Sequence, residues 1–395
     1  MPASAVEPQS SSNEQPDVLS QRLRAGDERR EQGLLPELET FWSKHYSWLN
    51  NSGYLLRPRY CPDWIPSWKE GGCKPEDDVK PAVRIVVADA TRISDGSLVL
   101  IKKCDPAENE LAVFHEDRIF RKFCSEPLAS DPKNRCIRMI EILPVPDDPK
   151  FLLIVMPFYY DWDLVPFLTI GEAMEFISQV FEGLHFMHSN HVWHGDVKSN
   201  NILMDVSPLL VEDINPWQPK RTRDLSRYAR FKNRLQHPVK YHIIDFDLSG
   251  VHDPSAGPPI MLTGYGGTRD VPEFKIRDQP CDPFAVDVYC LGNIIKKYFT
   301  EVRLYEAYFT KKKRGFEFMD GLVADMMNED PAKRPSMDDV VRRFSGIKAG
   351  LSWWNLRSRY APADEHALSR FFKFTPHWSR QFYYTMRRIP AVPTP

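Results

Sequence analysis

The sequence predicts an α+β chain in two unequal lobes, a small sheet-rich N-terminal lobe carrying one helix and a larger helical C-terminal lobe. Three observations predict it. Residues 83 to 102 hold two β-branched runs around a Ser94-Asp95-Gly96 turn, which read as a hairpin. Asn109 to Phe123 then reads as a helix, and Arg138 to Leu143 and Phe151 to Met156 add two more strands after it. From Thr169 onward, apolar residues recur at spacings of three or four.

The elements follow in order. Residues 1 to 34 are polar with almost no large apolar side chains, so they cannot offset their ordering entropy and are expected to be disordered. Pro36 opens an amphipathic helix with Leu38, Phe41, Trp42, His45 and Leu49 on one face, ended by Gly53. Residues 54 to 68, aromatic and Pro-rich, read as an extended segment laid across the domain, and Gly71 to Pro81 as a loop. Alternation over 99 to 102 sets Val99 and Ile101 on one face of a strand and Leu100 and Lys102 on the other. Thr169-x-x-Glu172 is a capping box for a long helix carrying Met174, Ile177, Phe181, Leu184 and Met187. Loop-rich stretches follow at 206 to 240 and 249 to 274. The expected divisions are an N-lobe at 35–157, a helical C-lobe at 158–350 with a basic insertion at 206–240, and an aromatic, basic tail at 351–395.

The chain has 395 residues, and 52 Lys+Arg against 54 Asp+Glu leave a net charge of -2, which argues against nucleic acid as a general partner. No run reaches the ~18 apolar residues of a membrane span, and residues 1 to 17 lack the pattern of a secretory signal. The seven cysteines are odd in number and without Cys-x-x-Cys spacing, as expected for a reducing compartment, cytoplasmic or nuclear.

After the long helix comes His194-Gly195-Asp196-Val197-Lys198-Ser199-Asn200-Asn201. An acid, a cation and a carboxamide on one loop are what phosphoryl transfer needs, to orient a hydroxyl, neutralise phosphate and bind metal. A second loop, Ile243-Ile244-Asp245-Phe246-Asp247, supplies a further carboxylate, and such hard oxygen ligands suit Mg²⁺.

These loops resemble the catalytic and metal loops of protein kinases. The resemblance continues through Val99-Leu100-Ile101-Lys102, the strand of the phosphate-binding lysine; Gly267 to Glu273, the end of an activation segment; Asp287 to Gly292, the helix after it; and Asp330 to Ser336, whose arginine pairs with Glu273. It implies a two-lobed kinase fold that uses ATP and Mg²⁺. Asp196 and Lys198 would be catalytic, and Asn201 and Asp245 would hold the metal. Lys102, held by Glu116, would contact the α and β phosphates, and Met156, Pro157, Tyr159 and Leu203 would line the nucleotide site. Ser/Thr of a protein would be the acceptor, since Lys198 follows Asp196 by two. Gly53 to Tyr60, Pro66-Ser67-Trp68 and Asp89 to Arg92 before Asp95-Gly96 resemble a kinase-like family abundant in mushroom-forming fungi.

There are departures. Gly96 is the only glycine between Gly72 and Lys102, so the glycine-rich phosphate loop is missing. Leu100 stands where kinases keep a small alanine, Gly195 replaces the arginine that receives an activating phosphate, and Asp247 replaces a glycine. Two rivals share much of the pattern: a pseudokinase serving as a binding scaffold, and a small-molecule phosphotransferase of the aminoglycoside or choline kinase type, which lacks the activation segment. Lys220 to Lys240, with eight basic residues and one acid, reads as a solvated flexible loop that could instead dock an acidic partner. The ten aromatics of 351–395 could stack RNA bases, but are expected to pack on the body of the protein.

Overall fold

Helices α1 (Thr40–Lys44) and α2 (Tyr46–Asn51) stand where the sequence predicts one continuous helix. The break falls at His45, whose ring Nδ1 bonds the Phe41 carbonyl at 2.7 Å, the same carbonyl its own amide uses. Trp42, His45 and Leu49 are buried as the pattern requires, and Gly53 ends the pair at φ 93°. This computed structural model describes residues 39–65, 86–104, 116–263, 270–303, 310–312, 315–362 and 365–395, so Pro36, Leu38 and the 71–81 loop lie outside the described residues. The chain divides into two compact units, one up to Lys103 and one from Cys104.

In the first unit, β1 (Tyr54–Leu56), β2 (Val87–Arg92) and β3 (Leu98–Cys104) form an antiparallel meander, with Leu56 opposite Ala90 and Val87 opposite Lys102. The extended segment after Gly53 is therefore partly an edge strand. Beyond it a turn at Pro58–Tyr60 is pinned by two buried ion pairs, Arg59 to Glu39 at 2.7 Å and Arg57 to Asp89 at 3.0 Å. The predicted alternation holds, since Val99 and Ile101 are buried on one face of β3 and Lys102 lies on the other.

The second unit holds α3 (Glu116–Phe123) and the hairpin of β4 (Glu141–Pro144) with β5 (Leu152–Pro157), in which Ile142 faces Ile154. The expected start of α3 at Asn109 lies outside the described residues. Helix α4 (Ile170–Ser189) begins at Thr169, whose hydroxyl accepts from the Glu172 amide. The Glu172 carboxylate reaches back to the Leu168 amide at 2.7 Å, and all five predicted apolar positions of α4 are buried.

The basic insertion is held by its own contacts. Arg227 grips Glu212 through both guanidinium nitrogens at 2.7 and 2.9 Å, the Arg230 amide joins it, and buried Arg234 donates to the Trp162 carbonyl. It is an ordered segment, since its cations find a carboxylate just upstream of the run. Helices α5 (Pro283–Ile295), α6 (Asp320–Met326), α7 (Met337–Gly350), α8 (Trp353–Arg357) and α9 (Ala367–Met386) complete the unit. Among the described residues no helix is long and apolar enough to cross a membrane.

Packing of the tail differs from expectation. Only His377, Gln381 and Tyr384 of α9 are buried, whereas Phe371, Phe372, Phe374, Phe382 and Tyr383 are each more than half exposed.

Candidate active site

Two ladders set the catalytic loop. Strand β6 (Tyr160–Asp161) pairs with β8 (Ile202–Met204), which pairs with β9 (Tyr241–Ile243). On the other side β7 (Val192–Trp193) pairs with β10 (Gly250–Val251). Because Ile202 faces Ile243, the residue before β8 meets the residue after β9, and the Ile244 amide donates to the Asn201 carbonyl at 3.0 Å. Register alone thus brings together the two acidic loops.

Buried His194 locks them. Its Nδ1 accepts from the Asp196 amide at 3.1 Å, which leaves Nε2 to donate to the Ile244 carbonyl at 3.0 Å. Its carbonyl accepts from Ser249 Oγ at 2.8 Å. Gly195 follows at φ 76°, where a Cβ would stand 2.2 Å from the Leu248 carbonyl oxygen. No arginine fits that position, which gives the Gly195 departure a steric reason.

Asp196, Lys198 and Asn201 meet. Asp196 Oδ2 lies 2.5 Å from Lys198 Nζ and accepts from Asn201 Nδ2 at 3.0 Å. Asn201 Nδ2 also donates to the Asp196 carbonyl, while its buried Oδ1 takes no hydrogen bond. An unsatisfied buried carboxamide oxygen is costly unless something else takes its lone pairs, as a cation would.

The loop after β9 gathers a second cluster. Glu116, Asp245 and Asp247 can each place a carboxylate oxygen within 4.8 Å of the others. Glu116 Oε1 accepts from the Phe246 amide at 3.2 Å and Oε2 from Cys104 Sγ at 3.3 Å. Buried Phe246 packs edge-on against Phe120 and near His194. Asp245, two residues before the Asp247 that replaces a glycine, sits at φ 69°, a conformation aspartate tolerates better than most residues.

The residues expected to line the nucleotide site lie at the end of β5 and beyond it: Met156 is buried, Pro157 ends the strand, and Tyr159 stacks on His242 at 4.6 Å. Burial pushes the Tyr159 hydroxyl up to about 12 and the His242 ring down to about 4. Leu203 faces Asp161 and His242 across the ladders. Lys102 is a buried residue of β3 in the first unit.

The late-turn arginine forms the expected pair. Arg334 binds Glu273 through Nη1 and Nη2, both at 2.7 Å, and also donates to the Ala285 and Asn328 carbonyls.

Residue-type reasoning missed Asp287 as a positioning group. Fully buried in α5, it accepts from the amides of His194 at 2.7 Å and Gly195 at 2.9 Å and bonds His188 Nε2. A lone acid in the apolar run Phe284-Ala285-Val286-Asp287-Val288-Tyr289 was the available signal, since buried acids need partners. Cys104 carried no such signal.

Residues 86–344 match the family described as protein kinase domain. The chain is 29% identical over 284 residues to serine/threonine-protein kinase pim-2 of Danio rerio, covering 64% of this chain and 77% of that one. It is 26% identical over 186 residues to a Wee1-like protein kinase of Oryza sativa subsp. japonica, 44% of this chain and 28% of that protein. Serine/threonine-protein kinase vps15 of Schizosaccharomyces pombe is 24% identical over 200 residues, 46% and 10% of the two chains. The chain spans less than two thirds of the length of most curated relatives it matches.

Proposed function

The chain belongs to the protein kinase domain family, with its two-lobed α+β fold, and from that premise we propose that it transfers the γ-phosphoryl group of ATP to Ser or Thr hydroxyls of proteins with the help of Mg²⁺. The observation that carries this reading is the Asp196–Lys198–Asn201 cluster, tied to the loop of Asp245 by the Ile244 amide on the Asn201 carbonyl and by the His194 ring on the Ile244 carbonyl.

Each residue has a role. Asp196 accepts a hydrogen bond from the acceptor hydroxyl and orients it for attack. Asn201 fixes the Asp196 carboxylate from one side, and Lys198 stands at the same oxygen, 38% exposed and free to swing toward an incoming phosphate. Asp245 and the orphaned Asn201 Oδ1 would hold the metal, and their all-oxygen donor set fits Mg²⁺. Bound there, it would neutralise charge on the phosphoryl group. Lys102 would contact the α and β phosphates, and Met156, Pro157, Tyr159 and Leu203 would border the nucleotide base.

Protein is favoured over a small-molecule acceptor by the Glu273–Arg334 pair, which braces the end of an activation segment. The relatives' names include serine/threonine-protein kinases, which supports the hydroxyl specificity. The segments around Gly53 and Asp89 support placement near the mushroom-forming fungal group. On 220–240 the cations of Arg227, Arg230 and Arg234 are engaged internally, which argues against an acidic partner at those three. Phosphoamino-acid analysis with Mg-ATP, casein, kanamycin and choline tests the reading. Phosphoserine or phosphothreonine is expected; label only on kanamycin or choline would overturn it.

A further inference from the structure

Helix α9 turns the wrong face outward for a soluble surface. His377, Gln381 and Tyr384, spaced four and three apart, face the body, where His377 Nε2 donates to the Arg357 carbonyl and Arg357 donates to Gln381. On the opposite side Leu368, Phe371, Phe372, Phe382, Tyr383 and Met386 are 62, 73, 68, 51, 53 and 85% exposed. On each side of Pro376, which lies inside the helix, they share a face, since at 3.6 residues per turn positions three or four apart are neighbours: Leu368 with Phe371 and Phe372, and Met386 with Phe382 and Tyr383. Exposed apolar surface this contiguous marks an interaction site.

Charge identifies the partner. Residues 366 to 395 contain five Lys+Arg and no Asp or Glu. Lys373, Arg380 and Arg387, all exposed, recur every seven residues and so line one edge of that surface; Lys373 also pairs with Glu365. A second copy meeting this face would bring cations against cations. Single-stranded RNA would stack on parallel rings, but Phe371 and Phe372 lie at 78° to each other, and aliphatic Leu368 and Met386 offer a base nothing. An anionic phospholipid surface suits every part: aromatic and aliphatic side chains enter the acyl boundary while long cationic side chains stretch to the headgroups.

We propose that the outward face of α9 seats the protein on anionic phospholipid bilayers, lying in the interface without spanning it. The test is co-sedimentation of the full chain with vesicles of phosphatidylcholine alone and of equal phosphatidylcholine and phosphatidylserine. Binding to the phosphatidylserine vesicles is expected, at least tenfold tighter than to phosphatidylcholine and weakening as salt rises. A Leu368→Gln, Phe372→Gln, Met386→Gln variant should lose tenfold or more with its urea midpoint unchanged, because all three side chains are mostly exposed. If that midpoint falls, Arg380→Glu, Arg387→Glu decides, with the same loss expected. No sedimentation, variants that bind like the parent, self-association removed by the same changes, or preference for single-stranded RNA over vesicles would each overturn the proposal.

Discussion

The Asp287 carboxylate accepts the Gly195 amide at 2.9 Å and the His194 amide at 2.7 Å, fastening the catalytic loop to the buried helix α5. Removing it would strand two buried N–H groups, each costing about 1–3 kcal/mol. Asp287→Ala is expected to lower stability by roughly 2–6 kcal/mol in urea unfolding, with a parallel fall in kcat. An unchanged urea midpoint would show that water replaces the carboxylate.

Arg334 and Glu273 form a bidentate pair, with the Arg334 side chain fully buried. Breaking a buried pair from one side costs about 3–5 kcal/mol, because it leaves an uncompensated charge. Arg334→Ala should lose that much. Arg334→Lys should recover only part, since an ammonium cannot reproduce the fork or also reach the Ala285 and Asn328 carbonyls.

Activity is expected not to depend on phosphorylation between Asp245 and Glu273. Thr263 is 1% exposed, its hydroxyl donates to the Ile276 carbonyl at 2.6 Å and accepts from the Gln279 amide at 3.0 Å. A phosphate there would break both bonds, and Gly195 offers no receiving cation. Tyr265 and Thr268 lie outside the described residues. Phosphatase treatment should leave peptide phosphorylation unchanged; a tenfold fall, about 1.4 kcal/mol, would show that another basic residue receives a phosphate.

Stability should fall on acidification through His242. Burial holds its ring at about 4, below the ~6.5 of an unfolded histidine. The unfolded chain then binds more protons between these values, so the contribution is complete above about pH 6.5 and is lost as pH falls toward 4. Between about pH 7 and pH 5 this predicts a loss of about 2 kcal/mol. His242→Gln should reduce that slope by its own share in urea titrations at the two pH values, the remainder belonging to groups such as His377, which burial also holds down to about 4; an unaltered slope would place the proton elsewhere.

Much of this was legible in the sequence where chemistry is local. The order of His194 to Asn201, the Thr169 cap and the alternation of β3 are contiguous patterns, and each appears as read. Long-range partners were harder to read. Nothing near Glu212 announces that it receives Arg227 and Arg230, nothing near His45 announces that its ring competes for the Phe41 carbonyl, and Asp287 acts on residues 92 and 93 positions away. The tail misled for a different reason. Aromatic density predicts burial somewhere, but it does not say whether the cover is the protein's own body or something outside it.

The most direct measurement is phosphate transfer from Mg-ATP to a Ser/Thr peptide mixture by the purified chain beside its Asp196→Asn variant. Measurable transfer is expected, with turnover below the ~1–100 s⁻¹ usual for kinases because the glycine-rich loop is missing, and a fall of roughly 10²–10⁴-fold in the variant. Equal transfer by both proteins at saturating Mg-ATP would contradict it, and would mark the Asp196–Lys198–Asn201 cluster as the relic of a binding module.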